Sequence, residues 1–177
     1  MNILVLWFIN IKIMELLEYW FPDDNYHCWW FKSTHTIDQT IYSKFYNQMT
    51  KIFDNFDINL YTNATPSELT YSIILLDQVS RNINRILNIL DINEYTKRAN
   101  QLSNIWINQK YYLTEPVKYT VFALMPIRHC KHIGSIDLVY KILELMEADK
   151  NELCDNKIFI KFKFYTKKSL ELLTVNI

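Results

Sequence analysis

The chain has 177 residues, enough for one domain with a substantial core; half of them are hydrophobic and 15% aromatic, which excludes a disordered protein. Lys+Arg and Asp+Glu both number 19, so the formal charge is zero and a general polyanion binder is not expected. A single Gly, Gly134, excludes a glycine-rich phosphate loop, and with four Pro it argues against the many tight turns of a β-sandwich or barrel.

The first seven apolar residues, Ile3 to Ile9, have no basic residue before them and no small-residue cleavage site after them. They are too few to span a bilayer, which takes about 20 residues. Neither a signal peptide nor a membrane anchor is expected. Residues 1–13 are read as an extension ahead of Met14, and residues 14–177 as a single all-α domain.

Met14 to Trp20 reads as the end of a first helix, broken by Phe21-Pro22-Asp23-Asp24-Asn25. Trp29-Trp30-Phe31 is expected to form a buried aromatic clasp. Ser33 or Thr34 caps a second helix, whose apolar stripe runs Ile37, Ile41, Phe45, Met49, Ile52, Phe53 and Phe56. A polar loop follows from Asp57 to Thr65. Thr65-Pro66-Ser67-Glu68 is a capping box with Pro at the first helical position, so a third helix starts at Pro66.

That helix carries the most informative stretch, Ile73 to Arg85, in which an apolar run meets Asp77, Gln78, Arg81, Asn82 and Arg85. Residues four apart share a helix face, so Asp77 is placed to pair with Arg81, leaving Arg85 as the free cation. A break is expected near Asn82 to Asn84. Asp91 caps a fourth helix reaching about Tyr112, and Thr114-Glu115-Pro116 caps a fifth, which Pro126 ends or kinks. Ile136 to Met146 reads as a sixth helix. Ile158 to Tyr165 alternates partly like a strand, but a lone strand has no partner, so a helix is expected there too. Helices of this length with short loops imply antiparallel helical hairpins.

Two readings of the polar stretch follow. In the first, Asp77 bonds Arg81 while Gln78 and Asn82 satisfy loop backbone ends, a purely structural network. In the second, Arg81 or Arg85 floors an anion-recognising pocket, with Gln78, Asn82 and Arg128 as further binding residues. His129 then acts as acid or base and Asp77 orients it. Cys28, Cys130 and Cys154 are odd in number and lack a CxxC, which suits reduced thiols in a cytoplasmic setting. His27-Cys28 and His129-Cys130-Lys131-His132 match no zinc spacing, so no metal is expected, and no cofactor motif is present. Arg128, Lys131 and His132 read as a solvated basic loop.

Three stretches together carry a resemblance: Tyr19 to Asp24 with Trp29-Trp30-Phe31, then Ile73 to Arg85, then Phe122 to Ile133. The chain resembles the bacterial domain-of-unknown-function family numbered 924 from about Glu15 to Met146. The resemblance implies tetratricopeptide-like helical hairpins stacked in a right-handed superhelical array around a groove. It places Asp77, Gln78, Arg81, Asn82 and Arg85 in the family's central motif, Trp20 and Trp30 in the aromatic one, and Pro126 and His129 in the third. It implies no reaction. The chain departs from it with Val79-Ser80 for Phe-Pro, Lys131 for an acid and Thr96 for an acid. The losses of acid near His129 weaken an acid/base mechanism, and the loss of Pro lets the third helix extend. The expected function is a helical module binding a protein or peptide; the alternative is a small enzyme or metabolite-binding protein acting on an anionic ligand. Nucleic acid and membrane partners are not expected.

Overall fold

The computed structural model describes residues 3–23, 25–149, 153 and 155–174. Those residues form helices and no strand. In chain order they are α1 (Ile3–Trp20), α2 (His35–Asp54), α3 (Pro66–Ile73), a π-helical turn (Ile74–Val79), α4 (Ser80–Leu87), α5 (Ile92–Asn108), α6 (Tyr111–Thr114), α7 (Val117–His129), α8 (Ile133–Asp149) and α9 (Lys157–Thr174). Short 3-10 turns at Cys28–Trp30 and Ile58–Tyr61 interrupt the connections on either side of α2. The final segment is helical, as the lack of a strand partner required.

The helix starts follow from side-chain chemistry. Thr34 caps α2 by accepting from the Ile37 N–H. At α3 the capping box is complete: Thr65 Oγ1 accepts from Glu68 N–H, and the Glu68 carboxylate accepts from Thr65 N–H at 2.7 Å. Asp91 caps α5 by accepting from the N–H groups of Asn93 and Glu94.

Four expected boundaries are corrected. The helix does not break at Asn82 to Asn84; α3, the π turn and α4 run on to Leu87, and Asn88 ends the run in the left-handed region. Asn82 and Ser80 do not interrupt it, because their side chains turn back onto carbonyls at Gln78 and Leu76, 2.8 and 2.6 Å away. Helix α5 stops at Asn108, since Lys110 takes a left-handed φ of 56°, and the short α6 follows. Thr114 caps nothing: Pro116 occupies the position before α7, with no side-chain cap. Of the two outcomes expected at Pro126, an end or a kink, the end is excluded, since α7 passes it to His129. Pro costs one backbone N–H there, and Pro126 is buried within an apolar run from Val121 to Ile127.

The core is centred on the π turn, all six residues of which are buried. It packs against α2, α5 and α7, as well as the two helices it joins. Ile41, Phe45 and Met49 of α2 face it as the predicted stripe requires, and each is fully buried. Trp20, Trp106, Phe122, Phe159 and Phe162 fill the rest of the interior; each such ring stabilises the fold by roughly 2–3 kcal/mol. Helices α8 and α9 pack on one another and on α7. No helix of the described residues is long and apolar enough to cross a membrane.

Candidate functional site

At the π turn, main-chain bonding shifts from i→i−4 to i→i−5, so that Ser80 N–H reaches the Leu75 carbonyl. This packs Asp77 into the centre of the molecule, where its side chain has no exposure. A buried carboxylate needs donors, and three side chains supply them. Arg81 donates from Nε and Nη2 to Asp77 Oδ1, at 3.2 and 3.0 Å. His129 Nδ1 lies 3.0 Å from each carboxylate oxygen. The Gln78 amide donates to Oδ2. Burial pushes the Asp77 pKa up, but His129 and Arg81 more than offset it, and the net direction is down. Asp77 is therefore held as a carboxylate by groups from two different helices.

Arg81 has a further partner, for its Nη2 donates to Thr96 Oγ1 on α5 at 2.7 Å. Arg85, expected to be the free cation, is not free. Its Nε and Nη2 form a two-pronged pair with the Asp38 carboxylate, each at 2.8 Å, and Nη2 also meets the Asn82 side-chain oxygen. Asp38 sits in the first turn of α2 and is itself buried. The structural reading is corrected in the same way: Gln78 bonds Asp77 and Asn82 bonds a carbonyl in its own helix and Arg85, so neither satisfies a loop end.

These groups open onto a cavity of about 250 Å³. The π turn and α4 contribute Gln78, Arg81, Asn82 and Arg85 to its lining. Helix α7 contributes Met125, Arg128 and His129. The connection between α1 and α2 supplies Trp29, Trp30, Phe31 and Ser33. The structure thus brings every expected binding residue and His129 to one cavity, with Asp77 directly beneath. The aromatic clasp, expected to be buried, is corrected in part: it lines the cavity, and only its central ring is buried. Trp30 is buried, its Nε1 donating to the Trp20 carbonyl at 2.9 Å, while Trp29 is half-buried and Phe31 exposed.

Arg128 differs from the other two arginines. Its hydrogen-bond partner is the hydroxyl of Ser169 at 3.4 Å rather than a carboxylate, and its guanidinium sits over the Phe162 ring. Burial lowers its pKa from the ordinary arginine value. Arg128 was expected in a solvated loop with Lys131 and His132; it lies instead in the last turn of α7 and is half-buried. Lys131 and His132 are exposed and lie outside the cavity lining.

Sequence reading missed Asp38. It precedes Ile41, Phe45 and Met49 by 3, 7 and 11 residues, so it heads the buried stripe of α2, and an acid at such a position signals a buried ion pair. Ser33 and Met125 were not singled out as lining residues, and nothing in their local sequence marks them. Among the described residues no group of three His, Cys, Asp or Glu side chains is arranged to hold a metal ion. Cys28 and Cys130 are exposed free thiols; Cys154 lies outside the described residues.

Comparison with solved structures finds similarity to a protein of unknown function from Agrobacterium tumefaciens, at a TM-score of 0.67 and 13% identity, covering 94% of this chain and 82% of that one. That likeness establishes a shared helical fold. No curated protein matches the sequence. The family model described as "Bacterial protein of unknown function (DUF924)" matches residues 16–172, a span that reaches from α1 into α9 and contains every cavity-lining residue. The chain therefore belongs to the DUF924 family of bacterial proteins.

Proposed function

We propose that this protein binds a small anionic metabolite in the cavity between the π turn, α7 and the α1–α2 connection. One observation carries the reading: the charge at the cavity does not balance. Arg81, Arg85 and Arg128 meet it, while the buried carboxylates beside it are Asp77 and Asp38, both already paired. One guanidinium is left over before His129 is counted, and Arg128 is the one without a carboxylate partner among the described residues. A planar guanidinium offers two parallel N–H donors to a carboxylate or phosphate. Desolvated positive charge at a concave site is stabilised by an anion more strongly than exposed charge is. A volume of about 250 Å³ suits a small molecule rather than a peptide. A groove for a protein or peptide rests on the fold class alone, and the cavity gives it no added support.

Isothermal titration and thermal shift with inorganic phosphate and a set of carboxylates test this, with wild type beside Arg128→Ala. The expected result is stabilisation of the wild type by at least one anion, with at least a tenfold weaker dissociation constant in the variant. Saturation to a hundred times the dissociation constant stabilises by about 2.7 kcal/mol, a shift of several degrees. If no anion stabilises the wild type, the reading fails.

The bond between His129 and Asp77 favours a second reading, in which the bound anion is also transformed. A carboxylate on Nδ1 fixes the ring and leaves Nε2 as the nitrogen able to exchange a proton with a ligand. Wild type and His129→Gln, assayed together on anionic esters, separate this from simple binding. Turnover lost in the variant while anion affinity is kept is its signature; equal turnover in the two rejects it.

A further inference from the structure

We propose that the anion held in this cavity carries a planar aromatic ring, seated on the surface that the α1–α2 connection provides. The inference rests on the anion-binding reading and adds the chemical class of the rest of the ligand.

The cavity is chemically two-sided. The π turn, α4 and the end of α7 supply most of its polar groups, whereas residues 29–31 are three consecutive aromatic residues, and Met125 adds a thioether. Aromatic area facing a small cavity is unfavourable until something apolar covers it. These rings are also held in place. Trp29 packs on Tyr19 and, edge to face, on Trp20, with centroids 5.9 and 5.0 Å apart. Phe31 has one face stacked on Tyr26 at 5.9 Å and 15°, while the residue as a whole stays exposed. Trp30 is tied to the Trp20 carbonyl by its indole N–H. A surface fixed in advance binds a flat partner without the cost of ordering side chains. A ring also suits the cationic side, since guanidinium groups stack on aromatic faces as well as pairing with anions.

Size sets the upper limit. A volume of about 250 Å³ lies just below the roughly 300–1,000 Å³ range of small-molecule pockets. One ring and one charged group fit; a polymer or a dinucleotide does not. The ligand class is therefore an aryl carboxylate or an aryl phosphate.

Titration calorimetry on the full chain reads this out with four probes: inorganic phosphate, phenyl phosphate, benzoate and cyclohexanecarboxylate. Phenyl phosphate is expected to bind at least tenfold more tightly than inorganic phosphate. Benzoate is expected to bind at least fivefold more tightly than its saturated, non-planar counterpart. Phe31→Ala, at an exposed position that does not endanger folding, is expected to shrink both ratios at least threefold and to leave inorganic phosphate within twofold of wild type. Equal affinity for phosphate and phenyl phosphate, or for the two carboxylates, overturns the inference while leaving anion binding intact. Failure of all four probes to bind overturns both. Ratios that survive Phe31→Ala unchanged also overturn it, because the selectivity then does not come from this surface.

Discussion

Two aspartate–arginine pairs flank one cavity, and they are built differently. Asp77 and Arg81 are four residues apart on one continuous helical run. Asp38 and Arg85 are 47 residues apart and join α2 to α4. Both carboxylates are buried, yet their company differs. Asp77 receives donors from Arg81, His129 and Gln78 and holds α4 to α7. Asp38 faces the Arg85 guanidinium, whose side chain is 49% exposed against 30% for Arg81. The first pair is the hub of a network at the centre of the fold. The second is a clamp at its edge, able to exchange protein contacts for water.

Removing each acid is the sharpest way to test that contrast. Asp77→Ala strands three donors at the core, and breaking a buried pair costs on the order of 3–5 kcal/mol. Since Arg81 and His129 each keep some water contact, about 3 kcal/mol is expected. Asp38→Ala releases a half-exposed arginine and is expected to cost about 1 kcal/mol. Urea denaturation of the two variants measures both. Equal losses would show that the two pairs are energetically alike and that the network adds nothing.

Acid titration probes the same hub. The Asp77 pKa is lowered by folding, so the folded state binds fewer protons than the unfolded one at acid pH. The stability it contributes is fully present above the unfolded value of 3.8 and is lost as pH falls through the lower, folded value. The stability gap between wild type and Asp77→Asn is therefore expected to be constant from neutral pH down to about 5 and to narrow below about 4. A gap that stays constant down to about pH 3 would show that folding does not lower the Asp77 pKa.

The same contrast explains what could be read from the chain alone. The Asp77–Arg81 pair was legible because helical periodicity fixes its geometry within one element. The capping residues Thr34, Thr65 and Asp91 were legible for the same reason, since each acts within three residues of itself. The Asp38–Arg85 pair was not, because nothing local specifies which helix packs on which. Nor was the π turn, whose register shift is stabilised by tertiary packing on all sides rather than by a local preference. The meeting of Arg81, Arg128 and His129 at one cavity was expected from side-chain chemistry, arginines that recognise an anion beside a histidine able to act as acid or base, not from spacing. The aromatic segment was read as core alone because sequence shows that rings cluster but not that a cavity reaches them.

A smaller effect is expected at the contact between Arg81 and α5. Thr96→Val keeps the side-chain shape and removes the oxygen that accepts from Arg81 Nη2. A hydrogen bond to a charged donor contributes roughly 1.5–3 kcal/mol when fully buried, and Arg81 can rehydrate in part, so a loss of about 1 kcal/mol is expected. Thr96 does not line the cavity and Arg81 keeps its Asp77 contact, so phosphate affinity should stay level or rise. A fall in affinity would show that Thr96 positions the guanidinium for the ligand rather than competing for it.

The smallest effect concerns how the edge clamp is aimed. Thr34 caps α2 through a long 3.4 Å bond to Ile37 N–H, and Asp38 lies in the first turn that this cap begins. Thr34→Ala is expected to cost about 0.5 kcal/mol, the low end for a lost cap. If the cap orients Asp38, part of that loss is transmitted to the Arg85 pair, and the double variant with Asp38→Ala will lose less than the two single variants added together. If Thr34 serves α2 alone, the losses will add, as they do for independent sites. A double-mutant cycle in urea decides between them, and non-additivity would extend the clamp from two side chains to the helix start that holds one of them.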